Sequence, residues 1–250
     1  VMTKIIIIAS GKGGTGKTSL AAGLGAALAA REHQVLVIDG DSGLRNLDIV
    51  LGMSDRVVFS FADVASGMIP LMEAAARHPS LERLFLLTAP AEPLSSGSLT
   101  ADGMRRLAEQ AQDVGFDYIL IDGPAGLAEE FHAFAAVASE AIVITCGGEG
   151  SLRGAERMAR VLEDDGVPNV RLVVNRIRRR LIRRGAIGTV DDAMDATGLC
   201  LLGIVPEDEE VSVSAGKGVP IASEKARSAA HAYRNIARRL DGEDTPLMRL

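Results

Sequence analysis

The sequence predicts a single doubly wound α/β domain, with a mostly parallel sheet and helices on both faces. Three observations predict it. Short runs dominated by Ile, Val and Leu recur at 4–9, 35–39, 84–88, 118–122, 141–145, 171–175 and 201–205. They are nearly continuous rather than alternating, as expected of strands covered on both sides. Longer segments with helical character, at 17–30, 100–113, 151–163 and 223–240, fall between them or follow the last. The resulting β-α-β-α order favours a parallel sheet with right-handed crossovers. The length of 250 residues suits one large domain better than two.

Each element has a local reason. Segment 17–30 is rich in Ala and Leu, which are strong helix formers. Segment 100–113 opens at Thr100, a good N-cap residue. In segment 223–240, Ala226, Ala229, Ala230, Tyr233, Ile236, Ala237 and Leu240 form a stripe at spacings of three and four. Lys225, Arg227, Arg234, Arg238 and Arg239 lie largely off that stripe. A basic amphipathic membrane helix has this form. The stripe is mostly Ala, however, which favours packing on the sheet. Clusters at 89–97 and 147–150 mark loops and not a domain boundary, so residues 1–240 form the domain and 241–250 a short tail. Val1, ahead of Met2, carries no part of the argument.

Composition narrows the function. The net charge of −6 argues against nonspecific nucleic-acid binding by the whole surface, although six arginines fall between Arg176 and Arg184. Aromatics make up 3%, which disfavours base-stacking platforms. Cys146 and Cys200 are far apart and lack metal-ligand spacing. No run approaches a membrane span, and no leader pattern opens the sequence, so a cytoplasmic protein is expected.

The chemistry begins at residues 11–19, G-K-G-G-T-G-K-T-S, placed directly between the first strand and the first helix. That placement makes the motif a phosphate-binding loop. Gly11, Gly13, Gly14 and Gly16 allow the backbone N–H groups, with that of Thr15, to curl round an anion. The following helix directs its free N–H groups and positive dipole end at the same point. Lys17 is placed to reach the β- and γ-phosphates. Thr18 offers a hydroxyl to Mg²⁺, and Ser19 completes the loop. Asp39, Asp41 and Asp122 follow at or just beyond strand ends, where ligands of parallel sheets gather.

Lys12 is not required by a general phosphate loop. G-K-G-G-x-G-K-T resembles the deviant Walker A proteins, the group of MinD, ParA and the nitrogenase iron-protein relatives. The segment D-G-D-S-G-L-R-N-L-D at 39–48 resembles switch I of the MinD family, and G-P-A-G at 123–126 its switch II. Ser151-Leu152-Arg153 at a helix start, Asn175-Arg176 after a late strand and Pro206-Glu207-Asp208 resemble further family elements, so the likeness spans nearly the whole chain.

The resemblance implies an ATP- and Mg²⁺-dependent ATPase that dimerises with ATP, turns over slowly and is stimulated by an activator. It implies that Lys12 acts across the dimer on the partner's phosphates and that Asp41 orients the attacking water. Asp39 and Asp122 support the metal, and Asn175, Arg176, Pro206, Glu207 and Asp208 meet the base. A guanine-specific N-K-x-D element is absent after the late strand, which favours ATP over GTP. The resemblance also implies MinC-like and MinE-like protein partners, a role in septum placement and a peripheral position on the inner face of the cell membrane.

The ending departs from the family's basic amphipathic helix. Residues 241–244 are acidic apart from Gly242, Pro246 breaks a helix, and Leu247, Met248 and Leu250 offer little apolar anchorage to an anionic membrane. The arginines at 176–184 support an alternative, a ParA-like ATPase that binds DNA nonspecifically. A flagellar-number regulator of the same family is another. An iron-protein reductase is set aside because neither cysteine stands near switch II.

Overall fold

The computed structural model describes every residue except Val1, Ala125, Glu224, Arg249 and Leu250. Its strands are β1 (Lys4–Ala9), β2 (Val35–Asp39), β3 (Ala76–Arg77), β4 (Leu84–Leu87), β5 (Tyr118–Asp122), β6 (Glu140–Thr145), β7 (Val170–Ile177) and β8 (Cys200–Pro206). They form one sheet in the order β3-β4-β2-β5-β1-β6-β7-β8. All neighbours pair in parallel except β3, which runs antiparallel to β4 at the edge. With two residues, β3 is too short to show a hydrophobic pattern in the sequence.

The first helices are α1 (Lys17–Ala29), α2 (Leu47–Val50), α3 (Phe61–Ala65), α4 (Leu71–Ala74), α5 (Ala101–Asp113) and α6 (Glu129–Ala135). They are followed by α7 (Glu149–Asp164), α8 (Arg179–Arg183), α9 (Val190–Thr197), α10 (Glu209–Gly216) and α11 (Ala229–Leu240). Thr100 caps α5 as expected, its Oγ1 accepting from Gly103 N at 3.0 Å. The short helices escape sequence reading because each spans about two turns or fewer.

The last helix begins later than the sequence pattern implies. Ser228 is its N-cap and accepts from His231 N at 3.2 Å. Asp208 Oδ2 accepts from Ala229 N at 2.9 Å. These two side chains satisfy N–H groups of the first turn and set the start there. Lys225, Ala226 and Arg227 therefore stand outside the helix.

Alternation along each strand divides the core. Ile7, Leu36, Ile38 and Ile121 face one side with Phe61, Phe131, Phe134 and Met158. Ile6, Ile8, Val35, Val37 and Leu120 face the other with Leu20, Leu24, Leu28 and Tyr233. Both faces are thus dry, which explains why the strands read as continuous apolar runs. Residues 241–248, read from sequence as part of a tail, turn back onto this body. Asp241 accepts from Arg31 Nε at 2.6 Å and Tyr118 Oη at 2.7 Å. Arg239 Nε donates to Thr245 O at 2.9 Å, and Met248 packs partly buried on the second core.

Candidate functional site

The site forms where β1, β2 and β5 end. Asp39 and Asp122 are register partners on adjacent strands, so their carboxyl groups leave the sheet at one level. Between β1 and α1, the loop turns through Gly14 (φ 76°) and Gly16 (φ 96°), conformations that favour glycine. Gly16 also has no room for a side chain, because an added Cβ would lie 2.4 Å from Asn175 Nδ2. Asn175 in turn donates to Thr15 O at 2.7 Å, bracing the loop from β7. Gly11 lies against α7 so closely that its Cβ would be 2.0 Å from Gly154 O.

This loop is built for an anion. α1 has Gly16 as N-cap, no side-chain cap and no acid in its first turn. Its free N–H groups and dipole therefore remain available. Lys17 is 8% exposed, and its Nζ donates to Ser10 Oγ at 3.3 Å. Thr15 Oγ1 is buried without a hydrogen-bond partner among the described residues. A buried cation beside free donors calls for a phosphate.

The acids show complementary features. Burial pushes Asp122 up to about 7, against a hydrogen bond from Thr18, and the charge of Asp39 pushes the same way. Its Oδ1 is buried with no partner among the described residues. Burial likewise pushes Asp39 up to about 6, although Leu47 N and Asp41 N donate to its two oxygens at 2.9 and 3.2 Å. Two desolvated carboxyls beside a threonine hydroxyl fit a hard divalent cation that takes oxygen ligands. No cluster of three His, Cys, Asp or Glu side chains suited to a metal occurs among the described residues.

Asp41 points elsewhere. Its Oδ1 accepts from Gly43 N at 3.1 Å and Leu44 N at 3.2 Å, so in this state it caps its own loop. Beside it, Ser42 Oγ donates to Glu130 Oε1 on α6 at 3.2 Å. The G-P-A-G segment follows β5, with Gly123 N donating to Ile8 O at 2.9 Å; Ala125 lies outside the described residues.

The residues expected at the base come together. Asn175, Arg176, Pro206, Glu207 and Asp208 line one cavity of about 410 Å³, which also touches Gly16 and Ser19 of the loop. Their carboxylates are already engaged: Glu207 forms a two-point ion pair with Arg178, and Asp208 Oδ1 and Oδ2 accept from Glu210 N and Ala229 N. Asp208 thus joins β8 to two helices in addition to lining the cavity. Sequence reading missed Arg178 and Tyr233 in this wall, the first hidden in an arginine cluster and the second in a helical stripe. Lys12 is exposed and lines a neighbouring cleft of about 370 Å³ with Arg176, Arg178 and the first turn of α7. A Cβ on Gly150 would stand 3.9 Å from its Nζ. Cys146 also lines this cleft and meets Thr15 O at 3.5 Å.

A parallel sheet ending in a glycine loop, a buried lysine and two desolvated aspartates defines a nucleotide-binding P-loop protein. The profile of the CobQ/CobB/MinD/ParA nucleotide binding domain matches residues 6–221, and the chain belongs to that family. It is 40% identical to the septum site-determining protein MinD of Synechocystis sp., covering 99% of this chain and 92% of that protein. Its structure resembles the MinC:MinD cell division protein complex of Aquifex aeolicus, with a TM-score of 0.89, 35% identity and 99% of each chain covered. It also resembles the septum site-determining protein MinD of Pyrococcus horikoshii complexed with Mg-ADP, with a TM-score of 0.79, 31% identity and 96% of each chain covered.

Proposed function

We propose that this chain is a MinD-like ATPase that acts as a nucleotide-switched dimer in placing the division septum. The observation that carries the reading is the contrast between two lysines of one loop. Lys17 is buried and serves the loop's own anion site. Lys12 is exposed at the rim of the adjoining cleft. A cation so placed suits a second phosphate chain brought by another copy, in the manner of an arginine finger.

In this mechanism the P-loop N–H groups and Lys17 hold the β- and γ-phosphates of ATP. Thr18, Asp39 and Asp122 would hold Mg²⁺, which would supply positive charge to offset that of the phosphates. Asn175 fixes the loop through Thr15 O. Asp41 leaves its bonds to Gly43 and Leu44, orients a water and accepts its proton as oxygen attacks the γ-phosphorus. The bond to the bridging oxygen breaks, giving ADP and phosphate. Loss of phosphate then releases the loop at 40–48 and, with it, the dimer. Turnover is slow until an activator such as a MinE-like protein engages the dimer. A MinC-like partner binds the ATP form, and the inner membrane face is the site of action.

A second reading, nonspecific DNA binding, is favoured by α8, which buries none of its side chains and presents Arg179, Arg180 and Arg183. DNA retention that weakens steeply with salt would support it.

The deciding experiment is Lys12→Ala, followed by light scattering and phosphate release. The variant should stay monomeric with ATP and lose hydrolysis while binding ADP normally. A dimer formed with ATP by that variant would overturn the trans role of Lys12.

A further inference from the structure

The segment joining β2 to α2 is tied off at both ends by one side chain. Asp39 Oδ1 accepts from Asp41 N at 3.2 Å, and Asp39 Oδ2 accepts from Leu47 N at 2.9 Å. Inside the segment, Asp41 Oδ1 accepts from Gly43 N and Leu44 N, and Asp41 O accepts from Arg45 N at 3.1 Å. Arg45 is left with φ 42°, a left-handed conformation that is costly for a long side chain. A strained turn persists where its surroundings hold it.

One side chain outside the segment does so. Ser42 Oγ donates to Glu130 Oε1 at 3.2 Å, and both residues are half-buried. Among the described residues, this is the one side-chain hydrogen bond that leaves segment 39–48 for another element. Glu130 lies in the first turn of α6, just after the G-P-A-G segment. Its neighbour Glu129 holds a different loop, accepting from Ser96 Oγ at 2.5 Å. Acids are favoured at a helix N-terminus in any case. That benefit requires neither serine, whereas here each acid of the turn grips one.

We propose that Glu130 is a positioning residue: through Ser42 it clasps the loop of Asp41 in a parked form and so restrains ATP hydrolysis. The inference rests on the ATPase reading, in which Asp41 orients the water. To reach that water, Asp41 must give up Gly43 N and Leu44 N, and the loop must rearrange around Ser42. The Glu130 carboxylate opposes the rearrangement by the worth of one hydrogen bond to a charged acceptor. Glu130 is not among the residues assigned to the nucleotide or the metal, so its effect falls on rate and not on affinity.

Phosphate release by the full chain with MgATP is the test. Glu130→Ala should raise kcat about tenfold, the factor of one partly exposed bond to a charged acceptor, with KM unchanged. Ser42→Ala should do the same, and the double variant should gain no more than either single one. Glu130→Gln keeps a carbonyl acceptor for Ser42 and should stay near the unsubstituted rate. Glu129→Ala removes the same charge from the same turn and should not accelerate turnover. ADP binding verifies that each variant is folded. Unchanged or lower kcat in both Glu130→Ala and Ser42→Ala, equal acceleration by Glu129→Ala, or additive gains in the double variant would overturn the clasp. Amide exchange at Gly43 and Leu44, followed by NMR without nucleotide, should quicken by a similar factor in Glu130→Ala. If the unsubstituted chain released no phosphate, the ATPase reading would fail, and the exchange rates would still decide whether Glu130 holds the loop.

Discussion

Asp122 and Asp241 belong to opposite ends of the same strand. At the C-terminal end of β5, Asp122 is buried with an oxygen that has no partner among the described residues, and burial drives its pKa up to about 7. At the N-terminal end, Asp241 reaches in beside Tyr118. Burial works to raise its pKa too, but hydrogen bonds from Tyr118, Arg31 and His33 outweigh burial and hold it below the ordinary value. One carboxylate is fully engaged within the fold, and the other, beyond its bond from Thr18, leaves Oδ1 without a partner among the described residues. A satisfied acid stabilises the folded chain, whereas an unsatisfied one costs stability and marks a place kept for a ligand.

The comparison can be broken most sharply through Lys17, the cation whose charge opposes the upward shift of Asp122. Lys17→Ala should weaken ATP and ADP binding roughly a hundredfold, the loss of charged hydrogen bonds. Titration with a fluorescent nucleotide checks it; unchanged affinity in a folded variant would remove the phosphate assignment.

Asp122→Asn is the next largest test. The folded pKa lies above the ordinary 3.8, so the ligand-free protein loses stability from this group as pH rises from about 4 to 7. The variant should therefore unfold at higher denaturant at pH 8, with a gain on the order of 2–4 kcal/mol, while losing Mg²⁺-dependent hydrolysis. The gain should shrink as pH falls toward 4. A variant destabilised at pH 8 would count against an unpaired acid.

Asp241→Asn should act oppositely and least. Its folded pKa is depressed, so its contribution is present above the unfolded value and lost only as pH falls through the folded one. A loss of about 1–2 kcal/mol at pH 7, with nucleotide affinity unchanged, is expected from denaturant melts. If nucleotide binding fell as well, the two ends of β5 would not be independent.

Much of this was legible beforehand, for definite reasons. The seven longer strands show because burial on both faces demands unbroken apolar runs, and β3 does not because two residues carry no pattern. The phosphate loop shows because its glycines and lysine are contiguous. The base pocket showed only in part. Asn175 and Pro206-Glu207-Asp208 carry a family pattern, but Arg178 and Tyr233 reach the cavity from a charged cluster and a helical stripe that have other ordinary explanations.

The sequence by itself determined the parallel sheet, the loop at 11–19 and the order of the acids, because periodicity and local motifs are properties of neighbouring residues. Only the tertiary structure decided which carboxylates are satisfied. It showed Glu207 held by Arg178, Asp208 reaching across to the last helix, and Asp122 with an oxygen left without a partner among the described residues. The partners of Glu207 and of one Asp208 oxygen lie 21 to 29 residues away, and those of Asp241 lie 123 to 210 residues away. Desolvation depends on everything packed around a group. Neither quantity is local, so neither can be read along a chain.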